Sequence, residues 1–213
     1  MRVLVFGATG HLGSGIVAEL LARGHEVTGV TRKGTDGAGQ QGLTMKTGDV
    51  TDPATVIELA PGHDAVASAV GPTLGVDNDE EILVGATRSL IAGLRKTDVR
   101  RLVVVGGAGS LETAPGERLI DSPHFPQMWK ANAQAQSTAL ELYRDTDELD
   151  WTFVSPAAMI EPGQRTGNYR VGGDQLMTDA EGHSRISIED YAAAFVDELE
   201  NGSAIRRRIS VAY

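Results

Sequence analysis

The chain has 213 residues, 41% hydrophobic and 23% charged, which is ordinary for a soluble globular protein and enough to build a sizeable core. A formal charge of −10 speaks against a nucleic-acid surface, and no apolar run approaches the roughly 20 residues that cross a bilayer. Cysteine is absent, which removes disulfides, thiolate metal sites and a thiol nucleophile; Met1-Arg2 leads straight into apolar residues without a signal-peptide layout, so a cytoplasmic protein with no membrane partner is expected.

Val3 to Phe6 is a short unbroken apolar run of the kind that forms a buried parallel strand. Gly7-Ala8-Thr9-Gly10-His11-Leu12-Gly13 follows at once, and Ile16, Val17, Leu20 and Leu21 then take up helical spacing. Strand, glycine turn and helix in that order make a cradle for an anion. Gly7 lets the chain bend, Gly10 keeps a Cβ out of the way of a group approaching the amides, and Gly13 lets the helix pack closely. The helix N-terminus offers unpaired N–H groups and partial positive charge to a pyrophosphate. Gly7, Thr9, Gly10, His11, Leu12 and Gly13 are therefore candidate cofactor contacts, against the plainer reading of a glycine-rich turn without a ligand.

Arg23-Gly24-His25 ends this helix, and Glu26 to Val30 reads as the second strand. In dinucleotide-binding folds an acidic residue at the end of that strand takes the ribose hydroxyls, whereas a basic one accommodates the 2′-phosphate of NADP. Here Val30-Thr31-Arg32-Lys33 has no acid before Asp36, so Arg32, supported by Lys33 or Thr31, points to NADP(H) over NAD(H). The competing reading is a pair of solvated cations opening the polar loop Gly34 to Gly42.

Leu43 to Lys46 is a third strand, and Gly48-Asp49-Val50-Thr51-Asp52 leads to a helix with Pro53 in its first turn and Thr51 or Asp52 as its cap. Asp64 to Val70 is a fourth strand, exiting through Gly71-Pro72. Ligands of such sheets lie beyond the carboxyl ends of the strands, so Ala69, Val70 and Gly71 should flank the adenosine-side ribose and the pyrophosphate. Asn78 or Asp79 caps a helix carrying Ile82, Leu83, Ala86, Leu90, Ile91 and Leu94. Arg101 to Val105, the fifth strand, runs into Gly106-Gly107-Ala108-Gly109-Ser110, and Leu111 to Pro126 reads as loop. Lys130 opens a helix over Asn132 to Arg144, and Asp150 to Ala157 is the sixth strand with its exit. The polar stretch Ile160 to Arg170 is a candidate substrate lip with Arg165 and Tyr169 as reaching side chains, or else a surface hairpin. Ser187-Ile188-Glu189-Asp190 reads as a capping box before a helix over Tyr191 to Leu199. Ile205 to Val211 closes the chain as a strand whose Arg206-Arg207-Arg208 is expected at a solvated edge.

The segments Gly7 to Gly13, Asp49-Val50-Thr51-Asp52, Asp150 to Pro156, Gly163 to Tyr169 and Ser187 to Ala192 together resemble the atypical short-chain dehydrogenase/reductases that carry the name NADH-flavin reductase. The resemblance implies an α/β fold: a Rossmann-like doubly wound parallel sheet forming one NAD(P)-binding domain over residues 1–213, with 156–188 mostly a small C-terminal substrate-side lobe. It implies that Asp49 accepts from the adenine amine and Val50 packs on its ring. It further implies that Ser155, Pro156 and Ala157 lie along the nicotinamide, that Ser110 is a catalytic hydroxyl, and that Lys130 acts catalytically and on the nicotinamide ribose.

One departure matters. Active short-chain dehydrogenases carry a tyrosine four residues before the lysine, so that the ammonium lowers its pKa for proton exchange. Here that position is Pro126, and the nearby Phe125 and Trp129 carry no acid. The chemistry that needs no tyrosine is hydride transfer from NADP(H) to a planar flavin or quinone, with a proton from solvent or His124. The rival is a non-enzymatic NADP(H)-binding redox sensor. A nucleotide-sugar epimerase or dehydratase ranks last, since it expects the Tyr-Lys pair and a larger C-terminal domain.

Overall fold

Strand β1 (Arg2–Phe6) is buried on both sides, as its unbroken apolar run requires: Val3 and Val5 enter one core, Leu4 and Phe6 the other. The computed structural model describes residues 1–33, 40–71 and 79–213, with the side chain of Asp79 left aside. The loop read over Gly34 to Gly42 in its 34–39 part, the exit at Pro72 and the cap at Asn78 or Asp79 lie outside the described residues.

After β1 come α1 (His11–Ala22), β2 (Glu26–Thr31), β3 (Leu43–Thr47), α2 (Pro53–Leu59), β4 (Ala65–Ser68), α3 (Asp79–Leu94) and β5 (Arg101–Val105). A hairpin of β6 (Glu112–Ala114) and β7 (Glu117–Arg118) and a helical turn over Leu119–Asp121 precede α4 (Gln127–Arg144) and β8 (Asp150–Ser155). The chain ends with β9 (Met159–Glu161), β10 (Arg170–Gly172), β11 (Arg185–Ser187), α5 (Ile188–Asn201) and β12 (Arg207–Ala212). The main sheet has the order β10-β12-β8-β5-β4-β1-β2-β3, parallel throughout except for the β10–β12 pair. Winding runs from β1 outward to β3, returns to β4 and continues the other way, so the order reverses between β1 and β4. That reversal opens a crevice at their carboxyl ends. This is the Rossmann-like doubly wound sheet the sequence implies.

Helices α1 and α5 cover one face with Ile16, Leu20, Tyr191 and Phe195; α2, α3 and α4 cover the other with Val56, Leu90, Leu94 and Leu140 against Trp151 and Phe153. Buried polar tips are paired: Trp151 Nε1 donates to Thr146 O at 3.0 Å, and Tyr191 Oη to Val154 O at 2.7 Å. Asp52 caps α2 by accepting from Ala54 N at 2.9 Å, with Pro53 in the first turn. Ser187 caps α5 by accepting from Asp190 N at 3.0 Å, so the helix begins at Ile188 rather than Tyr191.

Four further expectations change. The segment read as loop from Leu111 contains the β6–β7 hairpin, and α4 begins at Gln127, ahead of Lys130. The arginine run divides: Arg206 and Arg207 are exposed as expected, but β12 lies between β8 and β10 rather than at an edge, and the Arg208 side chain is buried, donating from Nε to Asp174 Oδ1 at 2.7 Å and from Nη1 to Ser110 Oγ at 2.8 Å. Of the stretch Ile160 to Arg170 expected as a substrate lip, the part from Gly163 to Tyr169 is fastened to α1 and α5. Arg165 makes two bonds of 2.7 Å to Glu19, Asp190 accepts from Thr166 and Gly167, and Tyr169 donates to Asp197.

Candidate functional site

A cleft of about 1590 Å³ lies over the carboxyl ends of β1, β4, β5 and β8. Its floor is the β1–α1 turn. Gly7 has φ +76°, and a Cβ there would stand 2.6 Å from Ala69 O; a Cβ at Gly13 would stand 1.9 Å from Gly7 O. Both glycines are needed by the protein's own packing. Gly10 differs: its Cβ would meet Gly7 O at 3.2 Å and otherwise near-open space, so packing alone asks for a shift of only a few tenths of an ångström. Helix α1 starts at this residue with no side chain capping it, which leaves its amide end facing the cleft. Gly7, Thr9, Gly10, His11 and Leu12 line the cleft; Gly13 is buried beneath it.

At the β2 end, Thr31, Arg32, Gly48, Asp49, Val50 and Thr51 form the wall. The Thr31 hydroxyl is buried there without a partner among the described residues. Asp49 Oδ1 accepts from Thr51 N at 2.9 Å and from Thr51 Oγ1 at 2.8 Å. Those two bonds hold its carboxyl below the usual aspartate range against the pull of partial burial, and Arg32 adds to the effect. Asp49 thus both supports its turn and faces the cleft as a carboxylate. Ala69, Val70 and Gly71 continue the wall, while Lys33 is exposed and outside it.

At the β5 and β8 end the lining is Val105 to Gly109, Phe125, Pro126, Trp129, Asn132, Ala133, Gln136 and Pro156 to Glu161. The glycines after β5 are explained by packing: a Cβ at Gly106 would stand 2.2 Å from the Phe153 ring, and one at Gly109 2.6 Å from Ala133 Cβ. Helix α4 therefore presses on this backbone and turns residues 129, 132, 133 and 136 to the cleft.

Neither expected catalytic residue stands in the cleft wall. Lys130 is exposed beside the lining residue Trp129, rotated away by one helical step. Ser110 lies beyond the lining, its hydroxyl engaged by Arg208. Two polar residues of α4, Asn132 and Gln136, do line the cleft; the sequence places both in a helix but singles out neither, because amides four residues apart on a helix carry no motif. Pro156 lines the cleft with Ala157, Ser155 is buried behind it, and His124 is an exposed lining residue. Arg165 and Tyr169 do not reach it. No tyrosine lines it: Tyr143 packs on Trp151 and Phe153, Tyr169 and Tyr191 are bonded as above, and Tyr213 donates to Asp190 at 2.8 Å. Burial pushes the Tyr143 and Tyr191 phenols well above their ordinary range.

An open helix N-terminus over a glycine turn, an unpartnered buried hydroxyl beside Arg32 and a cleft spanning the strand-order reversal suit a dinucleotide, and define a Rossmann-type nucleotide-binding protein. The chain belongs to the NAD(P)H-binding family, whose pattern it matches over residues 7–201. It is 39% identical to the uncharacterised protein YwnB of Bacillus subtilis, over 99% of this chain and 98% of that one. A Burkholderia pseudomallei structure provisionally named an exported protein is 46% identical, with TM-score 0.91 and full coverage of both chains (100% each). A Streptococcus pneumoniae structure provisionally named an NADH-flavin reductase is 37% identical, with TM-score 0.88 over 100% of this chain and 99% of that one. No helix among the described residues is long and apolar enough to cross a membrane.

Proposed function

We propose that the protein binds NADPH along the cleft and reduces a planar acceptor, a flavin or quinone, at its β5 and β8 end. The observation that carries this reading is the continuity of one cleft from the α1 amide end and Arg32 to a mouth of Phe125, Trp129, Pro156, Met159 and Ile160. When bound, the cofactor supplies a hydride. The residues of the chain orient and enclose: the α1 N-terminus holds the pyrophosphate, Arg32 and Thr31 take the 2′-phosphate, and Asp49 and Val50 seat the adenine. The apolar mouth presents flat surfaces to a flat acceptor and excludes water. No lining phenol or ammonium is available there, so the proton that completes the reduced acceptor comes from solvent or from His124.

The test is oxidation of NADPH by the purified protein against FMN, riboflavin and a small quinone, with NADH in parallel. Saturable turnover that prefers NADPH supports the reductase. Tight NADPH binding without turnover on any acceptor supports the second reading, a redox sensor, which the absence of a lining Tyr-Lys pair favours.

A further inference from the structure

The cleft mouth at the β5 and β8 end is apolar and carries its charge in one sign. Trp129 and Met159, 38% and 57% exposed, line it with Phe125, Pro156 and Ile160. An exposed apolar patch rimming a cleft marks a binding surface. The carboxylate in this part of the lining is Glu161, exposed and without a hydrogen-bond or ion-pair partner among the described residues. Among the described residues no lysine or arginine lines this end. Along the whole described lining, Arg32 stands against three carboxylates, Asp49, Glu81 and Glu161, and residues 34–39 and 72–78 contain neither lysine nor arginine. Cations just outside the mouth are turned to other partners. Arg118 bonds Asp121 at 2.8 and 3.0 Å, and the charge of Lys130 acts on the same carboxylate. Arg185, opposite Met159 in the β9–β11 pair, lies 3.7 Å from Asp179. His124 is the remaining basic side chain of the mouth.

An anion entering this end therefore meets a carboxylate and no fixed cation, in a chain of formal charge −10 whose bound cofactor adds its own phosphates. A neutral ring meets apolar surface without that repulsion. We propose that the acceptor end selects an uncharged planar ring over the same ring carrying a phosphate or sulfonate, and that Glu161 sets this preference. The proposal names the acceptor class for the reductase reading and rests on it. Riboflavin and FMN make the comparison for a flavin, since they share one ring and differ in a phosphate. A naphthoquinone and its sulfonate make it for a quinone.

Both pairs are measured on the parent protein, Glu161→Gln and Glu161→Lys at low salt and about pH 8, above the ordinary histidine range. Quenching of flavin or tryptophan fluorescence with NADP⁺ present gives Kd, and NADPH oxidation gives kcat/KM. Each result is a ratio within one protein, so general damage to the fold cancels. The parent is expected to favour the neutral member about fivefold, Glu161→Gln to narrow the ratio to within about twofold, and Glu161→Lys to reverse it. Added salt is expected to bring the parent toward parity. A parent that takes both members equally, or prefers the anion, overturns the proposal while the reductase reading stands. An unchanged ratio in both variants overturns the role of Glu161. Binding without turnover removes the reductase reading, and the Kd ratios still decide the charge preference. If no acceptor of either pair binds, both readings fall.

Discussion

Gly13 occupies the tightest glycine position, buried beneath the cleft, since a Cβ there would overlap the Gly7 carbonyl at 1.9 Å. Backbone cannot yield as a flexible side chain would, so Gly13→Ala is predicted to lower stability by about 3 kcal/mol or more, a fall in melting temperature on the order of 10 °C. Gly10→Ala separates fold from function. It is predicted to melt near the parent temperature yet lose cofactor affinity, because its new methyl enters space that the protein does not fill. Calorimetry on both variants with NADPH titrations on the folded one checks the pair. Ser110 makes the opposite case: its hydroxyl serves Arg208, 98 residues further along the chain. Ser110→Ala is predicted to cost about 1 kcal/mol in thermal unfolding, leaving NADPH affinity unchanged. A serine just past the fifth strand is legible in the sequence; the arginine that engages it is not, because nothing local to either residue announces so distant a partner.

Elements were legible where a single period ran cleanly. β5 was bounded correctly by its apolar run, and α2 by proline and aspartate at its start. Helix α4 was opened too late because Phe125-Pro126-Gln127-Met128-Trp129 carries polar and exposed apolar residues without a capping side chain, and Pro126 itself is the N-cap. The stretch Ile160 to Arg170 reads as a lip or a surface hairpin because its glycine and polar composition is that of a loop; the fastening of its Gly163 to Tyr169 part to Glu19, Asp190 and Asp197 is wholly tertiary. That fastening carries a pH dependence. Arg165 leads in holding the Glu19 carboxyl below its ordinary value of 4.5, with Arg23 adding. Burial would raise Asp190, but bonds from Thr166, Gly167 and Tyr213 outweigh it and hold the group below 3.8. A carboxyl depressed in the folded state contributes its full stabilisation above the unfolded value and loses it as pH falls through the folded one. The 163–169 amides are therefore predicted to stay protected from hydrogen exchange above about pH 5 and to open below the ordinary carboxylate range, before the sheet does. Asp190→Asn is predicted to open the same amides at neutral pH.

At the scale of the whole molecule, alternation of apolar runs with helical spacing made a doubly wound parallel sheet readable, because each strand buried on both faces needs helices above and below it. The antiparallel β10 and the small β9–β11 pair were not readable, being short strands fixed by neighbours rather than by their own pattern. The strand-order reversal between β1 and β4 turns separate motifs into one cleft, bringing the α1 amide end, Arg32, Asp49 and the α4 amides into a single wall. Titration of the parent protein and Arg32→Ala with NADPH and NADH tests whether this cleft takes NADP(H). Saturable binding with NADPH preferred is expected, and a loss on substitution of about tenfold or more for NADPH but little for NADH. Equal loss of both cofactors would contradict the 2′-phosphate assignment, and no saturable binding of either by the parent would contradict the site itself.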